Sequence, residues 1–465
     1  MDWVIGLVAV LAGAGVLTSR PSSALSIYLL VVMGFPHYVR ISVGTIDLSA
    51  SRIVVTLLLV RCLGEPLLSK RFRWNLLDTL VTVSMGIGIA TLMCTTPIAQ
   101  ALENRGGFLM DAWFAYLVVR LIVTDRTSAV SILKVVAVGL GLLAFIGLAE
   151  ATWGLSPYDA FKDYALRGAI RHQSGERFGL VRAQGSESQP IMFGMSFATL
   201  LPLVWFLRHE SPAWYRRATS LSVLVVLGVL SSLSVGPLVQ LLAVLVWLAL
   251  ENHKSLVKPL LLLGALACLL IELVSNRHFY YVLSEIAFDP VNGWYRARLF
   301  DVAVSHLPEY WVSGYGLMND PGWGPEIIGL PTTDIVNQYV FIACLHGLPG
   351  VAALLSLFGA ALVTLYRLAI RPGDAWERSL AWSLLASLVG QLVVFWTVCV
   401  FDTMVTIHHV VLALCGCLFA QVRLELTPSG IVQRTDEPRL SPRNRALNVH
   451  VPARVKLSRS HPDNA

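Results

Sequence analysis

Two arginines, Arg296 and Arg298, stand two residues apart in the segment GWYRARLFD, within the longest polar interval of the chain, residues 275–350. A guanidinium group can bind phosphate through two parallel hydrogen bonds, which suits arginine to such an anion. Residues at this spacing do not share one helical face, yet a loop or a helix end can direct both toward one anion. The pair therefore indicates a binding site for a phosphate group.

Arg182 is a third candidate ligand. It precedes a small polar turn in GLVRAQGSESQPIMFG, and Pro190 falls where a helix is expected to begin, a position at which proline is tolerated. Backbone N–H groups at such a helix start can also contact an anion. On this segment alone, an interfacial anchor explains Arg182 as well as a ligand role does.

Asp334 and Asn337 lie in TTDIVNQYVFIACLHGLPG, where the polar interval runs into an apolar helix. Polar groups at a membrane face are costly unless they pair or function. A base within hydrogen-bond reach activates a weakly nucleophilic hydroxyl, and Asp334 is the candidate for that role. If the helix begins at Asp334, Asn337 lies close to the same face. The alternative role of Asp334 is an N-terminal helix cap.

The histidines are weaker candidates for a base. His172 and His306 lie in polar segments, where each is more simply a loop residue. His346, inside an apolar run, is expected to be a packed and hydrogen-bonded interior residue. His408 and His409 are expected at the membrane interface.

The composition excludes an ordinary soluble domain. Of 465 residues, 55% are hydrophobic and 14% are charged, which predicts an all-α polytopic membrane protein. The net charge of +6 reflects Lys and Arg in short connections between apolar runs, so no nucleic-acid partner is predicted. The seven cysteines lie in or beside apolar segments, which predicts packing residues and not a disulfide framework. In such a protein the anion expected at the arginines is a lipid phosphate.

About 12 to 13 apolar runs are long enough to cross a membrane, for which a helix needs about 20 residues. They lie near residues 2–18, 23–39, 46–63, 76–98, 107–123, 129–150, 189–207, 219–235, 236–250, 256–274, 337–368, 379–400 and 404–421. The first lacks a basic segment before it and is expected to be a retained helix. The eleventh is long enough to be broken, at Gly347, Pro349 and Gly350.

Basic residues occupy alternate short connections, which the positive-inside rule assigns to the cytoplasm. They are Arg20, Lys70, Arg71, Arg73, Arg126, Arg208, Arg216, Arg217, Lys254, Lys258, Arg371 and Arg378. Two long loops, residues 151–188 and 275–336, are then expected on the periplasmic side of one transmembrane domain, residues 1–421. Residues 422–465 combine basic residues and prolines with few large apolar side chains, which predicts a disordered basic cytoplasmic tail.

The order and spacing of these motifs resemble those of the O-antigen ligase and O-antigen polymerase superfamily, and within it the exopolysaccharide-polymerase type. The motifs are GLVRAQGSESQPIMFG, then SLSVGPL, then the arginine pair ahead of SGYG, then DIVNQYV followed by GLPG. The resemblance covers residues 175–360, and outside that range it is topological.

Carried over by position, Arg182 matches the arginine of the first family motif, which is thought to hold the diphosphate. Arg296 or Arg298 matches the second, ahead of the glycine corner at residues 314–316. Arg298 is preferred, because Asp301 follows it at i, i+3 and would fix the guanidinium.

Asn337 matches the asparagine of the family's His-Asn pair. The sequence departs from the family at two positions. Val336 stands where ligases carry histidine, and Gln189 stands where many members carry histidine before the proline. Both departures leave a histidine base without support.

The resemblance implies an inverting, metal-independent glycosyltransferase of the cell inner membrane, with a helical fold of the GT-C kind and no cofactor. It would take a glycan from undecaprenyl diphosphate at the periplasmic face and join it to an acceptor glycan in exopolysaccharide or O-antigen synthesis. Membrane lipid and other polysaccharide-assembly proteins are the further partners expected. The missing histidine favours a polymerase over a ligase.

Two other functions stay open from the sequence. A transporter or flippase for lipid-linked saccharide would also need cations that face a diphosphate, but a carrier should show charged residues at several mid-span positions. A non-catalytic assembly subunit would tolerate the loss of the arginines.

Overall fold

The structure, a computed structural model, describes residues 2–164, 175–282, 285, 289–317 and 320–426. Of the described residues, 78% are helical, and eight of their helices are long and apolar enough to cross a membrane. The prediction of an all-α polytopic membrane protein is confirmed at that level.

The described helices are α1 (Asp2–Thr18), α2 (Pro21–Gly34), α3 (Ala50–Gly64), α4 (Pro66–Arg71), α5 (Leu76–Thr95), α6 (Ile98–Leu109), α7 (Ala115–Ile122), α8 (Arg126–Trp153), α9 (Pro190–Phe206), α10 (Pro212–Ser231), α11 (Val235–Ala249), α12 (Val257–Val274), α13 (Pro290–Ser305), α14 (Leu307–Tyr310), α15 (Gly324–Ile328), α16 (Gln338–Ile370), α17 (Ala375–Val394) and α18 (Thr403–Leu426). A π-helical turn, Met110–Phe114, joins α6 to α7. The eight helices of membrane-spanning length and hydropathy are α5, α8, α9, α10, α11, α12, α16 and α18.

Each apolar run found in the sequence contains a helix, but in five runs the helix does not combine the length and the hydropathy of a membrane span among the described residues. Helices α1 and α2 have 17 and 14 residues, fewer than the roughly 20 that a crossing needs. The third run, residues 46–63, is shortened because its first four residues form a strand. The predicted number of crossings is therefore confirmed for eight helices only.

Two short antiparallel hairpins interrupt the helical pattern. In the first, β1 (Arg40–Val43) pairs with β2 (Ile46–Ser49), and Gly44 takes a φ of +66° in the turn between them. In the second, β3 (Glu176–Arg177) pairs with β4 (Leu180–Val181). Neither hairpin was predicted from the sequence, but both lie in connections and leave the fold class unchanged.

Helix α9 lies at the centre of the bundle, packed against α8, α10, α11 and α17. Nearly all of its residues are buried, which agrees with its apolar residues on every face. Gly194 permits the close approach of α11, since a Cβ at that position would lie 2.7 Å from Cβ of Pro237. Helix α18 is also mostly buried, and α16 packs between α5 and α17.

Helix α16 bends sharply at Gly347, where φ is +66° and ψ is −169°. The predicted break in HGLPG is thereby confirmed. A loop replaces part of the broken helical hydrogen bonding: Tyr315 N donates to Cys344 O at 2.6 Å, and Leu348 N donates to Trp311 O at 2.8 Å. The bend is thus fixed by residues outside the helix.

The two long loops meet at one end of the bundle, here called the loop end. Ser188 Oγ, in the first loop, donates to Asp402 in the connection between α17 and α18, and Arg296 Nε, in the second loop, donates to Thr397 O of the same connection at 3.1 Å. Helix α8 ends at Trp153 and α9 begins at Pro190, close to the predicted loop boundaries.

The C-terminal boundary differs from the prediction, because α18 continues to Leu426 instead of ending at residue 421. The rest of the predicted tail, residues 427–465, lies outside the described residues.

Candidate functional site

Three arginines from the two long loops gather at the loop end, and we call Arg177, Arg182 and Arg296 the arginine cluster. Arg182 Nη2 donates to Ser234 Oγ at 2.7 Å, and Arg177 Nη1 donates to Leu233 O at 2.8 Å. Both side chains therefore contact the turn between α10 and α11. Arg296, on α13, donates from Nε to Thr397 O at 3.1 Å.

The arginine cluster brings positive charges close to one another. Burial lowers the pKa of Arg182 to about 10, and the charge of Arg177 adds to that effect. Burial also lowers the pKa of Arg296, which the positive charge of Arg177 lowers further and the nearby Asp334 carboxylate raises. Arg177 thus lies close to both Arg182 and Arg296. An anion placed among them would relieve this repulsion.

Arg298 has a different environment. Its Nη1 lies 3.7 Å from Oδ2 of Asp301, so the predicted i, i+3 pair is confirmed, and its side chain is 41% exposed. Asp301 also accepts hydrogen bonds from the hydroxyls of Tyr280 and Tyr281. Of the two arginines on α13, the structure therefore places Arg296 beside Arg177, while Arg298 contacts Asp301.

The N-terminal cap of α16 is Asn337, so the alternative role of Asp334 as that cap is wrong. The Asn337 amide oxygen accepts from Tyr339 N at 2.9 Å and from Val340 N at 3.1 Å, and its nitrogen donates to Trp396 O. Asp334 precedes the helix in an irregular segment, so the two side chains do not share a helical face. Asn337 is buried in a structural role, whereas Asp334 is exposed near Arg296.

The three histidines of α16 and α18 are all buried in the structure. His346 is buried and hydrogen-bonded to Thr91 Oγ1 at 2.8 Å, as predicted. His408 and His409 are both buried within the bundle, and their position at the membrane interface stays a prediction.

The other two weaker candidates for a base are His306 and His172. His306 contacts Glu309 at 2.7 Å and Glu326 at 3.1 Å, and these carboxylates raise its pKa. His172 lies outside the described residues.

A cavity of about 350 Å³ lies beside the arginine cluster, between α5, α6, α16 and α18, and we call it the chamber. Its charged lining residues are Arg40, Arg52, Arg105, Asp111 and Asp402. Arg182, Arg296, Arg298, Asp334 and Asn337 are not among its lining residues. The segment 395–402 contacts both features, since Asp402 lines the chamber and Thr397 accepts from Arg296.

Most charges of the chamber are paired. Arg52 binds Asp111 through Nε at 3.0 Å and Nη2 at 2.6 Å, and His37 Nε2 lies 3.3 Å from the same carboxylate. Arg40 Nη2 lies 3.6 Å from Asp402. The carboxylates raise the pKa of His37 against the effect of burial, which is the largest influence on it.

The chamber was not predicted from the sequence. A usable signal was present, because Arg52 and Asp111 fall inside the apolar runs 46–63 and 107–123, where a charge is costly unless it is paired or functional. The pairing of residues 59 positions apart becomes visible only in three dimensions.

Among the described residues, no group of three or more His, Cys, Asp or Glu side chains is placed to hold a metal ion. Neither the models of known protein families nor the sequences of characterised proteins give a significant match to this chain.

Proposed function

We propose that this chain is an inverting membrane glycosyltransferase with a GT-C-like architecture. Its donor is an undecaprenyl-diphosphate-linked oligosaccharide, which it polymerises, or ligates to an acceptor glycan, in exopolysaccharide or O-antigen synthesis. The observation that carries the proposal is the arginine cluster: Arg177, Arg182 and Arg296 come from two distant loops and meet at one end of an apolar bundle.

The cluster suits the charge that develops on the leaving group. As the acceptor hydroxyl oxygen bonds to the anomeric carbon, the bond from that carbon to the diphosphate oxygen breaks, and its electron pair leaves with the diphosphate. Donors held ready for that charge lower the barrier, and one such donor is typically worth about 3 kcal/mol. Arg182 and Arg296 are our choices, because each lies close to another cation and gains when an anion arrives.

Asp334 is the proposed base. It is exposed at the loop end beside Arg296, so an acceptor hydroxyl can reach it and transfer its proton as the new bond forms. Asn337 takes no part in this scheme, because its side chain caps α16.

The positions of the basic residues determine the proposed orientation in the membrane. The basic residues of the short connections favour the cytoplasm, so the loop end would face the periplasm from the inner membrane. The diphosphate of a carrier lipid would lie at the height of the arginine cluster, with its isoprenoid chain in the bilayer.

Deletion of this chain, followed by extraction of the carrier-linked glycans, tests the proposal. Single repeat units should accumulate on the outer leaflet, and the wild-type chain should restore the polymer while Arg182→Ala does not. Accumulation on the cytoplasmic leaflet would contradict the proposal and favour a flippase. Full restoration by Arg182→Ala would favour a non-catalytic assembly subunit.

A further inference from the structure

We infer that the chamber is a second anion site, which binds the phosphate head of a lipid at Arg105 and the start of its hydrocarbon chain against α5 and α16. This site is separate from the arginine cluster and does not depend on the proposed reaction. Four properties of the chamber support it: free donors, surplus charge, a fixed guanidinium and apolar walls.

Arg105 has hydrogen-bond donors to spare. Arg105 is only 8% exposed, yet it lines the chamber. Nε and Nη2 donate to Asn104 Oδ1 at 3.1 and 2.8 Å, and Nη1 donates to His346 Nε2 at 3.2 Å. A guanidinium carries five N–H groups, so two have no acceptor among the described residues. Two N–H groups on neighbouring nitrogens match a phosphate.

The chamber has a surplus of positive charge. Its lining includes three arginines and two aspartates, which leaves one positive charge when the histidines are neutral. Asp111 is bound to Arg52 and His37, and Asp402 lies beside Arg40, so neither compensates Arg105. A buried cation without a counter-ion is costly in an apolar bundle, and a bound anion removes that cost.

His346 helps to fix the guanidinium in place. Because arginine can only donate, His346 Nε2 must accept, which leaves the proton on Nδ1, directed at Thr91 Oγ1. His346 is therefore a neutral partner that does not repel Arg105.

The other walls suit hydrocarbon. Met85 and Ile89 of α5, with Ile342, Leu345 and Leu354 of α16, line the chamber below Arg105. All of these except Met85 are partly exposed, and Phe341, a further lining residue on α16, is 36% exposed, so the chamber is not closed off on its apolar side. A chain bound there can continue into the surrounding bilayer. A soluble phosphate would leave this surface uncovered, which is why we assign a lipid.

The experiment uses the full-length chain in detergent, with binding measured by native mass spectrometry. The probes are undecaprenyl phosphate, phosphatidic acid, diacylglycerol and inorganic phosphate. We expect at least one of the two lipid phosphates to bind more than tenfold tighter than diacylglycerol or inorganic phosphate. The comparison between undecaprenyl phosphate and phosphatidic acid identifies the kind of chain that the site prefers. Equal binding of diacylglycerol would overturn the inference.

Four variants locate the site. Arg105→Gln should weaken lipid-phosphate binding at least tenfold, and Ala353→Trp, which fills the chamber, should do the same with the arginine intact. Arg126→Gln removes an arginine at the opposite end and should bind as the wild type does. Arg298→Lys, at the loop end but outside the arginine cluster, should also bind normally. Glycan transfer, measured beside binding for each variant, separates a failure of this site from a failure of the proposed reaction.

The folding of each variant is checked by its thermal midpoint. If Arg105→Gln does not fold, Ala353→Trp decides the question. Unchanged binding in the folded variants at residues 105 and 353 would overturn the inference.

Discussion

Arg120 and Asp78 form a buried ion pair, with Nε 2.7 Å from Oδ1 and Nη2 2.8 Å from Oδ2. The pair joins α7 to α5 away from the loop end, and the hydroxyl of Tyr116 donates to the same carboxylate at 2.6 Å. Gly416 on α18 permits the arrangement, because a Cβ there would lie 2.8 Å from Arg120 Nε. This pair is structural. Arg105 of the chamber differs, because its hydrogen-bond partners among the described residues, Asn104 and His346, are not carboxylates.

Asp78→Ala should lower the free energy of unfolding by about 3–5 kcal/mol, because Arg120 then remains buried without its partner. Thermal unfolding in detergent measures this effect. Glu65→Ala is the matched control: it breaks the more exposed pair with Arg61, 2.9 Å long, and should cost at most about 1 kcal/mol. Equal midpoints for the two variants would show that the buried pair contributes no more than the exposed one.

Arg182→Lys and Arg296→Lys should each reduce glycan transfer by about tenfold to a hundredfold, because a point charge cannot make the paired hydrogen bonds of a guanidinium. Arg298→Lys is the matched control from the same helix as Arg296. It should stay close to wild type, since lysine can still pair with Asp301. The readout is consumption of carrier-linked repeat units. Loss of activity in Arg298→Lys alone would show that the site lies on the other face of α13.

Glu187→Gln should change how stability depends on pH. Burial raises the pKa of Glu187 to about 8, and the charge of Asp402 adds to the shift. The folded state therefore binds this proton more tightly than the unfolded state, so the stabilisation is complete below about pH 4.5 and is lost as pH rises through 8. Compared with wild type, the variant should melt at a similar temperature at pH 5 and at a higher temperature at pH 9.

His37 also loses stabilisation as pH rises, since its pKa is raised, while Asp402, with a lowered pKa, loses it only in acid. These groups remain in the variant, so the difference between the two melting curves isolates Glu187. A difference that does not grow between pH 5 and pH 9 would contradict the assignment.

Gly347→Ala should destabilise the protein, because a φ of +66° is strained for alanine and its Cβ would lie 2.7 Å from Trp311 O. Gly359→Ala is the control within α16. No atom lies within 4 Å of a Cβ at that position, and alanine favours a helix over glycine by about 1 kcal/mol. Thermal midpoints should move down for the first and slightly up for the second. A rise for both would mean that the bend is not required.

Asn337→Ala should cost about 1 kcal/mol of stability through loss of the cap, and Asn337→Ser should cost less because its hydroxyl can still accept from the helix. Activity per folded molecule should be retained in Asn337→Ser. If it falls as far as in Arg182→Lys, Asn337 acts on the substrate and not only as a cap.

The sequence by itself determined the membrane character, the helical class and the position of the break in α16. Each follows from local information: apolar runs of a given length, and glycines with a proline inside one of them. The i, i+3 pairing of Arg298 with Asp301 was also predictable, because helix geometry fixes which side chains are neighbours.

Only the tertiary structure decided which polar groups meet. Arg182 and Arg296 share Arg177 as a neighbour because two loops converge on the connections of α10–α11 and α17–α18, and no periodicity encodes that convergence. The chamber depends likewise on the packing of α5, α6, α16 and α18. A buried charge in an apolar run shows that a partner or ligand is needed, but which one it finds is set by contacts between residues far apart in the chain.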